Sequence, residues 1–355
     1  MDKLQEYRSA IDAIDNQILK LLNERARIAL EIGHFKKAHK QELYVPSREQ
    51  AIFDRLQSLN EGPFPTEAIT KVYREIISAS LSLEFPLKVV YFGPQATYTH
   101  IATLQKFGQS AQLVSAKSVD AVFDEVECGR AQHGVVPIEN SNEGAVTHTL
   151  DRFMHSNLSI IAEHYLEISH DLLASTGNPA NIKRIYSHPQ AIEQCRVWLE
   201  EHFSGVPWVE VSSTARAAQM VAEEENSAAI ANRYAASIYG LHVVASALET
   251  NPHNFTRFLV IGEKPSPPTG NDKTSLMFTF RDMPGILARM LEPFRKRDLN
   301  LMKIESRPIK KKAWEYVFFL DIEGHMEEPE IEAAVGELKE FCNMLKVLGS
   351  YPRSR

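Results

Sequence analysis

The sequence is poor in cysteine, in closely spaced glycines and in long hydrophobic runs. Its three cysteines lie far apart, without CxxC or Cys/His spacing, which argues against a zinc site or a disulfide framework and favours a reducing compartment. No two of the 16 glycines are two residues apart, so a nicotinamide dehydrogenase with a GxG fingerprint is disfavoured. No segment has the ~20 apolar residues that cross a bilayer, and the N-terminus lacks a signal peptide's apolar core. We therefore expect a cytoplasmic protein without a membrane span, a metal or a cofactor.

Length and charge balance limit the function further. With 355 residues, 44% of them hydrophobic, the chain is long enough for two or three packed domains. A formal net charge of −7 provides no global attraction for nucleic acid, so an anionic ligand must be held by locally placed Arg and Lys side chains. The composition predicts a multidomain protein that does not bind nucleic acid.

Residues 1–85 show strong helical periodicity and contain few helix breakers. The pattern predicts helices at Leu4–His39, Ser47–Leu59 and Thr66–Glu84, with Ser47 and Thr66 as N-caps. The first helix would be ~50 Å long at 1.5 Å per residue, too long for two shorter helices of the same chain to cover. An intertwined homodimer is expected to bury its apolar seam, which consists of Leu4, Tyr7, Ile11, Ile14, Ile18, Leu21, Ile28, Ile32 and Phe35.

Arg25 lies on that apolar seam. An unpaired buried guanidinium is strongly destabilising, so the position predicts an anionic partner. Lys36 follows eleven residues later, about 20° away in helical phase, and projects from the same face. Arg8 is about 100° out of phase with Arg25, so only the helix of a partner chain could deliver an Arg8 to the same ligand. The alternative is a dimerisation arm with surface charges and snorkelling arginines.

The stretches "YRSAID", "LLNERARIALEIGHFK", "VPSRE" and "REIISASLSLE" resemble the all-helical chorismate mutases. The rearrangement of chorismate to prephenate is unimolecular and needs only a compact conformer and stabilised charge on the ether oxygen. The resemblance implies that Arg25 and Arg8 of the partner subunit bind the carboxylates, and that Lys36 and Glu84 donate to the oxygen of the breaking ether bond. It also implies that Glu49 binds the ring hydroxyl and that Arg48 and Ser80 are supporting groups.

Residues 88–262 alternate β-rich runs with helical stretches, which predicts parallel sheets with crossover helices and a cleft between two lobes. Five stretches, "FGPQATYTH", "GVVPIENSNEGAV", "YSHPQAIEQC", "SSTARAAQMV" and "NFTRF", resemble prephenate dehydratases. The resemblance implies an α/β domain with two lobes like those of periplasmic binding proteins and an active site between them.

The same resemblance implies the dehydratase residues. Thr256 is the candidate general acid, with Glu139 as the alternative acid, because a threonine hydroxyl is a weak acid. Taken singly, Asn140, Ser187, His188 and Thr256 would also fit cap or turn positions. The binding or orienting positions are Asn140, Ser187 and Gln194, and the further lining positions are Ser141, Thr214 and Phe258.

After a Pro- and Gly-rich linker at 263–273, which we expect to bury little, residues 274–355 read as an α+β ferredoxin-like domain with the order βαββαβ. The motifs "DMPGIL" and "KIESRP" resemble those of ACT regulatory domains, where phenylalanine binds between paired domains. The alternative is purely structural, with a helix start and a solvated arginine. The implied phenylalanine site comprises Pro284, Gly285, Ile286, Leu287, Glu305, Ser306, Arg307 and Pro308.

The three resemblances together imply a bifunctional enzyme of phenylalanine biosynthesis. Its partners would be chorismate, prephenate and inhibitory phenylalanine, in a homo-oligomer that is a dimer or a tetramer. Two alternatives stay open: a dehydratase that prefers arogenate, and a non-catalytic amino-acid sensor.

Overall fold

The computed structural model describes residues 3–39, 44–280, 283–308 and 316–354. The chain divides into two compact units. The first is Met1–Lys88 with Lys106–Gln112, and the second is Val89–Gln105 with Leu113–Arg355. No helix in the described part of the chain combines the length and apolar character that a membrane span requires.

The first unit contains the three predicted helices, α1 (Lys3–Ala38), α2 (Pro46–Ser58) and α3 (Thr66–Glu84). The predicted N-caps are wrong. Val45 and Pro65 occupy those positions, and neither makes a side-chain cap hydrogen bond. Pro46 at the first position of α2 supplies a helical φ and has no N–H to satisfy, while the amides of Arg48 and Glu49 bond the carbonyl of Val45.

Helix α1 packs on α3 through a narrow strip of its surface. Its buried residues are Ala29 and Gly33. A Cβ added at Gly33 would lie 2.8 Å from the Cβ of Glu84, so the absent side chain permits the close approach of the helices. The apolar seam of α1 lies elsewhere, and its nine side chains are 47–63% exposed in the single chain.

The second unit begins with two sheets. The first lobe has strand order β2-β1-β3-β11-β5, with β4 on β3; the second has order β10-β6-β9-β7-β8. Their strands are β1 (Lys88–Phe92), β2 (Gln112–Ala116), β3 (His133–Asn140), β4 (Gly144–Ala145), β5 (Ser159–Glu167), β6 (Asp171–Ala174), β7 (Arg184–Ser187), β8 (Trp208–Glu210), β9 (Ser227–Ala231), β10 (His242–Ala245) and β11 (Phe255–Gly262). The helices are α4 (Tyr98–Phe107), α5 (Val119–Glu127), α6 (Thr147–Phe153), α7 (Pro189–Gln194), α8 (Arg196–His202), α9 (Thr214–Glu223) and α10 (Arg233–Tyr239).

The expectation of wholly parallel sheets is wrong. The β1–β3, β7–β9 and β7–β8 pairs are parallel, but β11 runs antiparallel to both β3 and β5, and β6 runs antiparallel to β9 and β10. The chain crosses between lobes twice, after β5 and before β11. The returning strand β11 therefore enters the first sheet in the opposite direction to β3.

The C-terminal part of this unit has the predicted βαββαβ order and one antiparallel sheet, β13-β14-β12-β15. Its elements are β12 (Asp272–Phe280), α11 (Ile286–Arg295), β13 (Leu301–Pro308), β14 (Tyr316–Glu323), α12 (Pro329–Phe341) and β15 (Cys342–Pro352). The α+β assignment is confirmed, whereas the boundaries of the domains stay predictions.

The predicted linker buries more than expected. Ser266, Asp272 and Lys273 are buried, and β12 already starts at Asp272. The Ser266 hydroxyl donates to the carbonyl of Ile161 on β5 at 2.7 Å. The segment thus packs against the first lobe because its polar groups find partners there.

Candidate active sites

Helices α1 and α3 bring four of the predicted chorismate-binding residues together. Arg25 Nη1 donates to Ser80 Oγ at 2.5 Å, and Ser80 Oγ donates to the carbonyl of Ile76 at 2.7 Å. Glu84 lies close enough to Lys36 and Arg25 for both charges to act on its carboxyl. The cluster places two cations next to one carboxyl group at the α1–α3 contact.

The surroundings of the Glu84 carboxyl shift its pKa. Burial raises its pKa above the ordinary value, and the nearby charges of Lys36 and Arg25 oppose that rise. Its Oε2 atom is buried and has no hydrogen-bond partner among the described residues. A protonated Glu84 would have a hydrogen to donate to a ligand oxygen at this position.

Glu49 has a partner that the sequence did not reveal. It is buried, and Arg74 Nη1 lies 2.6 Å from its Oε1. Arg74 also donates to the carbonyl of Lys106 at 2.5 Å and lies over the ring of Phe53. The Glu49 carboxylate is therefore fixed by a structural ion pair, while its neighbour Arg48 is exposed.

Arg8 is exposed on α1 and lies about 26 Å from Arg25 along the helix, at 1.5 Å per residue. One chain cannot bring both guanidinium groups to one ligand.

A second candidate site lies between the two lobes, in a cavity of about 820 Å³. Five of the predicted dehydratase residues line it: Asn140, Gln194, Thr214, Thr256 and Phe258. Ser187 and Ser141 do not. The buried Ser187 hydroxyl donates to the carbonyl of Ile230 at 2.7 Å, and Ser141 Oγ accepts from the amide of Phe255 at 2.9 Å. Their hydroxyls are used within the fold, so the geometry gives no support to direct binding roles for them.

The alternative acid Glu139 also lies outside the cavity lining. Its Oε2 is 2.9 Å from Lys303 Nζ and 3.8 Å from Arg257 Nη1. The Glu139 carboxylate is paired with both cations outside the cavity lining, so the geometry gives no support to Glu139 as the proton donor.

A chain of hydrogen bonds fixes the orientation of Thr256. Asn140 Oδ1 accepts from the amides of Asn142 and Glu143 at 2.9 and 3.2 Å, so its Nδ2 must point the other way. That nitrogen donates to Thr256 Oγ1 at 2.9 Å and to Asn254 Oδ1 at 2.8 Å. No acceptor in the described part of the chain takes the Thr256 hydroxyl hydrogen. The hydroxyl can therefore donate to a molecule in the cavity.

The chain continues to residues that the sequence reasoning missed. Asn254 Nδ2 donates to Gln194 Oε1 at 3.1 Å, and His170 Nε2 lies 2.9 Å from that same oxygen. His170 Nε2 must therefore carry the proton. On the other side of the His170 ring, the Tyr98 hydroxyl lies 3.0 Å from Nδ1. The signal in the sequence was weak, because a histidine between two strands resembles an ordinary core residue.

Charged groups at the cavity complement an anion. Lys117 and Arg216 line it from opposite lobes, together with His188, whose pKa is lowered by burial. Glu143 is the acidic neighbour. Burial raises the pKa of its carboxyl, and a 3.1 Å hydrogen bond from Gln194 opposes that rise. Two basic side chains and polar donors make the cavity suitable for a carboxylate-bearing molecule.

The predicted regulatory residues lie at two places. Gly285, with φ +79°, precedes α11, where Leu287 is exposed and Ile286 is buried; Asp282 of the "DMPGIL" motif lies outside the described residues. On β13, at the sheet edge, Arg307 Nη1 donates to the carbonyl of Thr147 on α6 at 2.9 Å. Arg307 thus joins the C-terminal sheet to the first lobe. The alternative of a solvated arginine at the strand end is therefore wrong. Glu305 is half-buried, whereas Ser306, Pro308 and Pro284 are exposed.

Comparisons with known proteins agree with this arrangement. Three family models match in order: chorismate mutase type II at 7–85, prephenate dehydratase at 89–266 and ACT domain at 274–340. The bifunctional chorismate mutase/prephenate dehydratase of Aquifex aeolicus is 48% identical over 358 residues, covering 100% of this chain and 99% of the relative. The protein of that name from Pseudomonas aeruginosa is 44% identical over 359 residues, covering 99% and 98%.

A crystal structure of prephenate dehydratase from Arthrobacter aurescens in complex with L-Phe matches with a TM-score of 0.70 and 35% identity, covering 75% of this chain and 90% of that one. The sequence match to the Aquifex aeolicus protein covers the whole chain, and the structural match covers three quarters of it. The chain belongs to the family of bifunctional chorismate mutase/prephenate dehydratases with a C-terminal ACT domain.

Proposed function

We propose that the chain converts chorismate to prephenate at the α1–α3 cluster and prephenate to phenylpyruvate in the interlobe cavity, and that L-phenylalanine inhibits the second reaction. The observation that carries the dehydratase assignment is the Thr256 hydroxyl, which Asn140 orients inside a cavity bordered by cations. Cys128, Cys195 and Cys342 are free thiols, which supports a reducing cytoplasm as the site of action.

The mutase mechanism follows from charge placement. Arg25 would bind a carboxylate of chorismate and favour the compact conformer, from which the rearrangement needs no nucleophile. As the ether bond breaks, negative charge develops on its oxygen, and Lys36 and protonated Glu84 would donate to that atom. The raised pKa of Glu84 supports its role as a donor.

The mutase site needs a second chain. Arg8 is too far from Arg25 along α1, and the apolar seam of that helix is exposed in the single chain. An intertwined homodimer would cover the seam and bring Arg8 of the partner subunit to the second carboxylate. Burial of nine large apolar side chains gives a strong driving force for this pairing.

The dehydratase mechanism depends on protonation of the ring hydroxyl as it leaves. Thr256 would donate its hydroxyl hydrogen to the ring hydroxyl of prephenate as the carbon–oxygen bond breaks. The ring carboxylate leaves as carbon dioxide, and its bonding electron pair enters the ring, which becomes aromatic. The products are water, carbon dioxide and phenylpyruvate, and solvent returns one proton. The Asn140 hydrogen bond to Thr256 Oγ1 polarises the hydroxyl and favours this donation.

Lys117 and Arg216 would hold the two carboxylates of prephenate before the reaction.

In the C-terminal domain, the first amides of α11 would bind the carboxylate of phenylalanine. The apolar surface around Leu287 would contact the phenylalanine ring.

The test is to incubate the purified protein with chorismate and to measure prephenate and phenylpyruvate with and without L-phenylalanine. We expect both products, and less phenylpyruvate when L-phenylalanine is present. No phenylpyruvate from either chorismate or added prephenate would contradict the proposal and favour an amino-acid sensor. Parallel assays with arogenate would show which substrate the cavity prefers.

A further inference from the structure

A seven-residue segment, Lys106–Gln112, belongs to the same compact unit as the mutase helices α1, α2 and α3. In the sequence this segment lies inside residues 89–266, which match the prephenate dehydratase family model. The chorismate mutase family model ends at residue 85 and leaves the segment out. The mutase unit therefore contains residues that the family model for its chemistry does not assign to it.

Backbone contacts hold this segment against α3. The amide of Gln109 donates to Glu75 Oε2 at 3.1 Å, and the amide of Ser110 donates to Ser78 Oγ at 3.2 Å. Gly108, with φ +75°, comes so close that an added Cβ would lie 2.5 Å from the Cβ of Ser78. The approach of the segment to α3 thus depends on a residue without a side chain.

The first residue of the segment holds Arg74. Arg74 Nη1 donates to the carbonyl of Lys106 at 2.5 Å and to Glu49 Oε1 at 2.6 Å. The guanidinium also lies 4.8 Å from the centroid of the Phe53 ring. One nitrogen of Arg74 therefore bonds the segment and the buried Glu49 carboxylate at the same time, which fixes the guanidinium between them.

The second residue of the segment packs against another neighbour of Glu49. The ring of Phe107 lies 5.0 Å from the ring of the buried Tyr44. Burial raises the pKa of the Tyr44 hydroxyl well above its ordinary value, and the charge of Glu49 and a hydrogen bond to that carboxylate add to the rise. The hydroxyl stays protonated and faces Glu49 as a donor.

Both side chains that hold Glu49 are thus in contact with the segment. A carboxylate offers about four acceptor positions, so its contacts with Arg74 and Tyr44 leave capacity for the hydroxyl of a bound molecule. The orientation of this remaining capacity depends on where the two donors are held. Lys106 and Phe107 hold one donor each.

We infer that Arg74 is a positioning residue for the mutase reaction, and that the segment Lys106–Gln112 keeps Arg74 and Tyr44 in place so that Glu49 meets the ring hydroxyl of chorismate. The inference rests on the proposed mutase function and on the role that the resemblance implies for Glu49. The ring hydroxyl takes no part in the bond changes, so its contact is about equally strong in the ground state and the transition state. Loss of such a contact raises KM and leaves kcat nearly unchanged.

The first experiment makes Arg74→Gln in the full-length protein, alone and combined with Glu49→Gln. For each protein, kcat and KM for chorismate, kcat and KM for prephenate, and Tm are measured. We expect Arg74→Gln to raise the mutase KM about tenfold, with the mutase kcat within about threefold and the dehydratase constants within about twofold of the unaltered protein. In the Glu49→Gln background the same change should raise KM less than about twofold, because the carboxylate that Arg74 positions is already absent.

The second experiment tests the segment by comparing Gly108→Ala with Gly129→Ala. Both glycines have left-handed φ values, +75° and +66°, so both substitutions strain the backbone. Only at Gly108 does the added Cβ meet another residue, since nothing lies within 4 Å of it at Gly129. Gly108→Ala should raise the mutase KM about fivefold, whereas Gly129→Ala should leave it within about twofold. If Arg74→Gln fails to fold, this comparison decides alone.

An unchanged mutase KM for Arg74→Gln, or an equal rise with and without Glu49→Gln, would overturn the positioning role of Arg74. Equal mutase KM values for the two glycine variants would overturn the role of the segment. Absence of prephenate from chorismate with the unaltered protein would instead refute the proposed mutase function, and this inference with it.

Discussion

At the residue scale, Glu84 gives the mutase a defined dependence on pH. The carboxyl donates a hydrogen bond only while it is protonated, which is the state below its pKa. Burial raises that pKa, while Lys36 and Arg25 lower it. Once Glu84 ionises, its charge would face the ether oxygen as negative charge develops there. Loss of one such donor can cost ~100 to 1,000-fold in rate.

We therefore expect mutase kcat/KM to decline as pH rises through the Glu84 pKa and Glu84→Gln to flatten the decline, because an amide donates at every pH. Profiles of kcat/KM from about pH 5 to about pH 9 for both proteins check this, since kcat/KM reports ionisations of the free enzyme. A flat profile for the unaltered protein, or a parallel fall in both, would contradict the role of Glu84.

Sequence reasoning singled out some of the charged residues that the structure brings together and missed others, for a physical reason. Arg25 stood out because a cation on an apolar seam is unfavourable without a partner. Arg257 and Lys273 are buried more deeply than the half-buried Arg25, but a charged residue in a short strand looks the same in the sequence whether it faces water or a neighbouring domain. Their partners come from distant parts of the chain, so no local pattern records them.

At the element scale, Gly33 controls the packing of α1 on α3. A Cβ there would meet Glu84 Cβ at 2.8 Å, so Gly33→Ala should force the helices apart, destabilise the first unit by about 1–3 kcal/mol and lower mutase activity. Gly336→Ala on α12 is the matched control. Nothing lies within 4 Å of its added Cβ, so it should be neutral or stabilise by about 0.5–1 kcal/mol.

Denaturant unfolding and mutase assays of the two glycine variants would check this. Equal stability of both variants would show that the helices accommodate the methyl group and that Gly33 is not required for their approach.

Helix periodicity predicted α1, α2 and α3 to within a few residues, because local apolar spacing determines such helices. It did not predict the antiparallel entry of β11, which depends on the path of the chain between lobes. The N-caps were mispredicted because Val45 precedes Pro46 at the start of α2 and Pro65 is itself the N-cap of α3, so neither helix has a side-chain cap.

At the scale of the whole molecule, α1 should form mutase sites shared between two chains. Arg8→Ala and Arg25→Ala should each inactivate the mutase alone, since each removes one carboxylate clamp. In a mixed dimer, one site receives both intact arginines. Equal mixing with free subunit exchange should restore about a quarter of the mutase sites.

The measurement is mutase activity before and after denaturation and refolding of the mixture, with each variant refolded alone as the control. If heterodimers form but activity does not return, the shared site is wrong.

We also expect Arg307 to couple phenylalanine binding at the C-terminal domain to the dehydratase lobe, because it donates a hydrogen bond to the carbonyl of Thr147 on α6. Arg307→Ala should raise the L-phenylalanine concentration for half-inhibition about tenfold and change uninhibited turnover less than twofold. Arg295→Ala is the control, because this exposed arginine pairs with Glu292 on its own helix. Equal phenylalanine sensitivity of both variants, measured by phenylpyruvate formation, would remove Arg307 from this role.

The central claim is that this protein performs two successive reactions at separate sites, and Thr256→Ala tests it most directly. Supplied with chorismate, this variant should form prephenate at the rate of the unaltered protein and accumulate it, with phenylpyruvate formation reduced to the uncatalysed rate. Thr256→Ser, which keeps the hydroxyl that Asn140 orients, should retain part of the dehydratase activity. Phenylpyruvate formation by Thr256→Ala near the normal rate, or loss of prephenate formation in a folded variant, would contradict the account.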